Sequence, residues 1–149
     1  MGRANMNAKS LTFAALLFLA AAPAWGITRS PVSGAIDPAV TQANVQKTIC
    51  RLGYTKTVRP SKEWSQAVKR RLLVEQRLSG KVEDYELDHL VPLRLGGAPR
   101  NSANLWLQPW TEARIKDEDE LRLRYAVCSG HLTLEQAQER IRLKWGRSQ

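Results

Sequence analysis

The sequence predicts an α+β fold that is mainly helical: a small β-hairpin followed by a helix, packed with flanking helices. Two observations support this prediction. Apolar residues recur at helical spacing in residues 62–78, 111–127 and 133–145. Residues 85–107 instead hold two short apolar runs separated by the double glycine Gly96-Gly97, a pattern typical of a strand, a tight loop and a return strand.

The first 26 residues predict a secretory signal peptide. Their basic start is followed by an apolar run from Leu11 to Ala22, and Ala22-Pro23-Ala24 offers small residues at a cleavage site. The apolar run is short for a membrane-spanning helix, and an uncleaved anchor is the alternative. Residues 27–40 contain two prolines, a glycine and two serines and predict a flexible leader, which leaves 41–149 as the folded domain.

The charge balance is strongly basic. The chain has 23 Lys and Arg against 14 Asp and Glu, a net charge of +9. Removing residues 1–26 takes away two basic residues and no acidic ones, so the mature part carries 21 − 14 = +7. Such an excess suits a polyanionic partner, whether nucleic acid, lipid headgroup or acidic wall polymer. A merely solvated basic surface is the alternative.

Two cysteines, Cys50 and Cys128, lie in the mature part. An even cysteine count in an exported chain predicts a disulfide. The bridge would enclose most of the domain, which corresponds to about 4–5 kcal/mol in the chain-entropy model. A metal site is not expected here, because neither cysteine has a C-x-x-C partner.

The flanking elements follow from local patterns. Residues 41–49 predict a short helix ending near Cys50, and residues 52–60 predict turn and extended chain, because Arg59 precedes a proline. Ser61 is a plausible N-cap for a helix over 62–78, whose apolar side is formed by Trp64, Val68, Leu72 and Leu73.

Two further helices follow the predicted hairpin. Thr111 is the expected N-cap of the first, which is predicted to run to about Val127 and whose expected apolar positions are Ile115, Leu121, Tyr125 and Ala126. Thr133 opens the second with Gln136 three residues on, a capping-box pattern. Its apolar stripe consists of Leu134, Ala137, Ile141 and Trp145, and we expect this stripe to lie in the core.

The predicted hairpin carries a compact set of polar residues. Asp88 and His89 are adjacent, and Asn104 opens the second apolar run. A neutral histidine can take a proton from water near pH 7, and a carboxylate beside it can hold a divalent cation. An asparagine amide both donates and accepts, so Asn104 could tie the loop together and hold the orientation of His89.

This region resembles the HNH family of nucleases, also called the His-Me finger or ββα-metal fold. The matching residues are Asp88-His89-Leu90-Val91-Pro92, then Gly96-Gly97, then Asn104-Leu105. From Thr48 to Trp145 the chain is also similar to small exported bacterial HNH-like proteins. The resemblance implies that His89 is the general base, that Asp88 binds the metal and that Asn104 braces the loop.

The third position of the family's metal site departs from the pattern. The expected His or Asn falls at or near Ala113, which cannot bind a metal. Among the nearby acids Glu112, Asp117 and Glu120, we favour Asp117. An oxygen-rich site of this kind suits Mg²⁺ or Mn²⁺, and a histidine ligand would also admit Zn²⁺.

The resulting hypothesis is a metal-dependent endonuclease of the periplasm or the extracellular space. We expect DNA or RNA as its partner, little sequence specificity, no stable membrane insertion after signal cleavage, and a monomer. Four basic residues around the motif are the candidate phosphate contacts: Arg94, Arg100, Arg114 and Lys116. The alternative is a catalytically inactive, polyanion-binding envelope protein that retains the hairpin as a scaffold.

Overall fold

A computed structural model describes residues 1–2 and 28–147. Apart from its first two residues, the predicted signal peptide lies outside the described residues. Within the described part, no helix is both long and apolar enough to cross a membrane.

The part of the chain that the structure describes contains four α-helices and one two-stranded antiparallel sheet. In chain order the elements are α1 (Tyr54–Val58), α2 (Lys62–Glu75), β1 (Tyr85–His89), β2 (Leu105–Pro109), α3 (Trp110–Cys128) and α4 (Leu134–Trp145). Short 3-10 turns link several of them. This arrangement confirms the predicted α+β fold, with a hairpin that leads directly into a helix.

The hairpin separates an apolar face from a polar one. Its two strands pair with Asp88 opposite Trp106 and His89 opposite Leu105. Because side chains alternate along a strand, Leu105 and Leu107 share one face, where they pack against α2 through Val68 and Leu72. Residues of the other face contact α3.

Helix α4 supplies the second part of the core. Its predicted stripe is fully confirmed, since Leu134, Ala137, Ile141 and Trp145 are all buried. The predicted capping box is also present, with Thr133 accepting from the backbone of the first turn. This stripe packs against the loop between the strands through Leu90, Val91 and Leu95, so α4 supports the loop that follows His89.

Helix α3 is oriented differently from the prediction. Three of its expected core residues, Ile115, Leu121 and Tyr125, are 48–72% exposed. The buried residues are instead Ala113, Lys116, Asp119, Glu120 and Val127. The prediction from apolar spacing was wrong because the charged side of this helix faces the hairpin. Its buried charges form ion pairs there, as Lys116 does with Asp88.

Other differences concern the region before the hairpin. The predicted helix over 41–49 is only a 3-10 turn at Gln42–Asn44 followed by further turns. Residues 54–58 lie in the stretch expected as turn and extended chain but form the short helix α1, although Arg59 itself is extended as its proline neighbour requires. Helix α2 is capped by Ser61 as predicted but ends at Glu75.

The expected flexible leader is packed on the domain over residues 28–40. The backbone N–H of Ser30 donates to Trp145 at 2.7 Å, and that of Asp37 donates to Gly96 at 2.8 Å. Val40 is buried in the core. This segment therefore packs against the loop between the two strands and restrains it.

The predicted disulfide between Cys50 and Cys128 is confirmed, with 5.5 Å between the two Cα atoms. It joins the segment before α1 to the last residue of α3. The guanidinium of Arg124 reinforces the same junction, donating to the carbonyls of Ile49 and Cys50 at 2.7 and 3.2 Å.

Candidate active site

His89 ends strand β1, and its ring is held by the loop. Its Nε2 lies 3.0 Å from the backbone carbonyl oxygen of Pro99. A carbonyl can only accept a hydrogen bond, so Nε2 carries the proton in the neutral ring and Nδ1 is the nitrogen able to accept one. Burial lowers the pKa of His89 below its ordinary value of 6.5, outweighing the hydrogen bond to Pro99 and the charge of Asp88. The ring is therefore neutral at pH 7.

Asn104 is fully buried and ties the loop together. Its Oδ1 accepts from the backbone N–H of Val91 at 2.9 Å, and its Nδ2 donates to the carbonyls of Val91 and Ala98 at 2.9 and 3.1 Å. Ala98 immediately precedes Pro99, whose carbonyl holds the His89 ring. Asn104 thus fixes the stretch of backbone that orients the histidine, without touching the ring itself.

Asp88 points to the opposite face of the strand, toward α3. Its carboxylate accepts from the indole Nε1–H of Trp106 at 3.1 Å and lies 3.0 Å from the ammonium of Lys116. Both partners are buried, at about 1% exposure. The acid beside the histidine is therefore neutralised from inside the protein.

Lys116 stands at the junction of hairpin and helix. Its Nζ donates to the carbonyl of His89 at 2.8 Å and pairs with Glu120 at 2.6 Å, in addition to Asp88. The other oxygen of Glu120 lies 3.3 Å from Nε of Arg94. Burial alone would lower the pKa of Lys116, but Asp88 and Glu120 outweigh it and hold that pKa above its ordinary value. The lysine is thus a fixed, charged ammonium.

A small pocket of about 30 Å³ opens beside these groups. A volume of this size has room for one or two water molecules. Asp88 and His89 both line it, together with Arg94, Asp117 and Glu120 from the predicted set. The sequence interpretation missed three further polar lining residues: Thr55, Arg59 and Glu86.

Glu86 and Arg59 differ in whether a local sequence pattern could have predicted them. Glu86 lies two residues before Asp88 on the same strand, so the two-residue period of a strand could have placed it on the same face. Burial, followed by the charges of Asp88 and Asp117, raises the pKa of Glu86 to about 7. Arg59 comes from the end of α1 and reaches the pocket only through the tertiary fold, so no local pattern predicts it.

The predicted phosphate contacts have different surroundings. Lys116 is 1% exposed, so its direct contact with a phosphate, as expected from the sequence, does not fit its position. Arg100 is exposed and lies over the ring of Trp64, with 5.5 Å to the ring centroid. Arg114 is exposed on α3. Arg94 and Arg59 are the guanidiniums that line the pocket itself.

The implied metal site does not fit these residues as they stand. Asp88 is engaged by an ammonium and an indole N–H, and Glu120 by Lys116 and Arg94. Glu112 accepts from the backbone and hydroxyl of Thr28. Among the described residues, no three His, Cys, Asp or Glu side chains form a group able to hold a metal ion. The predicted divalent cofactor stays a prediction.

Comparisons of this chain with protein-family models, with curated proteins and with solved structures found no match.

Proposed function

We propose that this chain is an exported HNH-type endonuclease that hydrolyses phosphodiester bonds in DNA or RNA with little sequence specificity. The observation that carries the proposal is the hydrogen bond from His89 Nε2 to the Pro99 carbonyl. It assigns the proton of the neutral ring to Nε2 and leaves Nδ1 to act as a base. The confirmed disulfide is compatible with export.

The chemistry follows from the lining of the pocket. His89 Nδ1 takes a proton from a water molecule, and the water oxygen forms a bond to phosphorus. The ester P–O bond on the far side breaks, and the leaving oxygen takes a proton from solvent. A base positioned in this way contributes a rate factor of about 10²–10⁴.

Positive charge for the phosphate comes from guanidinium groups. Arg59 and Arg94 both line the pocket with His89, and a guanidinium presents planar paired donors that match phosphate oxygens. Arg100 follows Pro99, the contact of the His89 ring, but its guanidinium lies over Trp64 and does not line the pocket. Contacts of this type read the backbone and carry no sequence information, which supports the proposed lack of specificity.

The first test is plasmid nicking by the purified mature protein, compared with His89→Ala. We expect the substitution to reduce the rate by about 100-fold or more. The matched control is His131→Ala, because His131 is the other histidine of the chain and is exposed. Cleavage that survives His89→Ala, or falls equally in both variants, contradicts the assignment of the base.

The pH dependence of the wild-type rate is a second check. Because burial lowers the pKa of His89, the base remains neutral below the pH at which an exposed histidine would protonate. The acid limb of the pH–rate profile should therefore have an apparent pKa below 6.5. An acid limb centred above that value argues against His89 as the titrating group.

A non-catalytic polyanion-binding protein is the second candidate. The observation that favours it is the internal neutralisation of Asp88 by Lys116, which removes the acid from its implied role. This candidate predicts binding of DNA or RNA that weakens steeply with salt, and no cleavage above the level of His89→Ala.

A further inference from the structure

We infer that the ammonium of Lys116 is the resident cation of this site, so that hydrolysis by this chain does not depend on a divalent metal. The inference rests on the proposed function for the reaction it concerns. It goes beyond that function in assigning the cation, and it departs from what the family resemblance implies.

The geometry of the ammonium is the first argument. Three acceptors surround Nζ of Lys116: Asp88 at 3.0 Å, the carbonyl of His89 at 2.8 Å and Glu120 at 2.6 Å. An ammonium has three N–H donors, so each acceptor can receive one. Two carboxylates and a carbonyl also form the oxygen-rich environment that a hard metal cation would require.

The three acceptors of the ammonium come from two different elements. Asp88 and the carbonyl of His89 belong to β1, whereas Glu120 lies one turn beyond Lys116 on α3. The ammonium therefore joins the hairpin to the helix, as a metal held by both elements would do. A divalent ion bound to Asp88 would lie next to this buried positive charge.

The guanidiniums supply the third argument. Arg94 pairs with Glu120 at 3.3 Å and is partly exposed at the pocket, and Arg59 lines the same pocket. These groups can meet the negative charge of a phosphate directly. Lys116 itself cannot, because its donors are all directed inward. It acts as a positioning residue that holds Asp88 and the end of β1 in place.

The experiment measures cation binding and activity separately. Calorimetric titration of the wild-type protein with Mn²⁺ should show no saturable binding below about 1 mM. Nicking by protein dialysed against EDTA should stay within about twofold of the rate with added Mg²⁺, where a metal-dependent enzyme would lose several orders of magnitude.

Lys116→Met removes the ammonium while keeping a side chain of similar length. We expect its Mn²⁺ affinity to rise at least about tenfold over the wild type, because Asp88 and Glu120 are released. The matched control is Lys144→Met, which removes an ammonium paired with Asp119 away from the pocket and should leave Mn²⁺ binding unchanged. If Lys116→Met does not fold, as judged by circular dichroism, Lys116→Gln, which also lacks the charge but keeps a hydrogen-bond donor and both carboxylates, takes its place.

Two outcomes overturn the inference. One is saturable Mn²⁺ binding to the wild type that Asp88→Asn abolishes. The other is wild-type cleavage that disappears in EDTA and returns with Mg²⁺, which would leave the proposed nuclease function intact. A wild type that cleaves no better than His89→Ala under any condition defeats the proposed function instead, and the Mn²⁺ titrations still decide which cation the site holds.

Discussion

At the level of single residues, the site brings closely spaced charges of both signs together. Four carboxylates line the pocket, from Glu86, Asp88, Asp117 and Glu120. Lys116 neutralises two of them directly. No ion pair of Glu86 or Asp117 lies among the described residues, and Glu86 responds by retaining its proton up to about pH 7.

The first prediction concerns Glu86→Gln. The pKa of Glu86 rises from 4.5 to about 7 on folding, so the folded state binds the proton more tightly than the unfolded state. The native state consequently loses stability as pH rises from about 4.5 to 7. Glu86→Gln removes this penalty and should stabilise the protein by about 1–2 kcal/mol at pH 8, a value reduced for partial solvent exposure.

Urea unfolding of both proteins at pH 4 and pH 8 measures this effect. The stability difference should be near zero at pH 4, where the carboxyl is mostly neutral in both states. Glu83→Gln, at an exposed position three residues earlier, serves as the control and should show no such dependence. A Glu86→Gln protein that is equally stable to the wild type at both pH values contradicts the raised pKa.

At the scale of elements, the loop between the strands depends on close contact between backbone groups. A Cβ atom on Gly97 would lie 1.7 Å from the carbonyl oxygen of Val91 and 2.8 Å from Nδ2 of Asn104. Both neighbours belong to the network that fixes the Ala98–Pro99 backbone. A side chain at position 97 would therefore displace the backbone carbonyl of Pro99, which accepts the hydrogen bond from His89.

The second prediction follows for Gly97→Ala. We expect it to destabilise the fold by about 3 kcal/mol or more, because overpacking against backbone cannot relax by rotamer change. Gly53→Ala is the control. Gly53, unlike Gly97, has a positive φ of 81°, and nothing lies within 4 Å of its Cβ position, so a cost of only about 1 kcal/mol, from the backbone conformation alone, is expected. Equal losses in thermal or urea unfolding would show that the close approach is unimportant.

The helices differ in how much of their packing the sequence could predict. Helix α4 was predictable because its apolar stripe and its capping box agree with its packing. The extent of helix α3 was predicted but its buried face was not, since the rule that apolar faces point inward fails where a helix buries Lys116 and Glu120 against the hairpin. The motif placed Asp88, His89 and Asn104 on one hairpin, whereas the ion pairing of Asp88 depends on a side chain 28 residues away.

At the scale of the whole molecule, long-range connections hold a small domain together. The disulfide spans 78 residues and joins the segment before α1 to the end of α3. The amino-terminal segment crosses the outside of the loop, where Gly34 N–H donates to Ala103 at 2.8 Å. No local sequence pattern predicts that crossing, and the prolines, glycine and serines of the segment instead predicted a flexible leader.

The third prediction is for the double variant Cys50→Ser/Cys128→Ser. Opening a 78-residue loop should reduce the free energy of unfolding by about 4–5 kcal/mol in the chain-entropy model. That is a large part of the 5–15 kcal/mol of a typical domain. Urea unfolding of the variant, with the dithiothreitol-reduced wild type as the control, measures the loss. A difference under about 1 kcal/mol would mean that packing alone holds the two segments together.

The bridge has a consequence for the cell that makes the protein. Under the proposed export, the chain is first made where glutathione and thioredoxin keep thiols reduced, and the covalent link is then missing. We expect the nascent protein to be poorly folded there, with the histidine and its carbonyl partner unassembled. The proposed hydrolytic activity would then begin only after oxidation outside the cytosol.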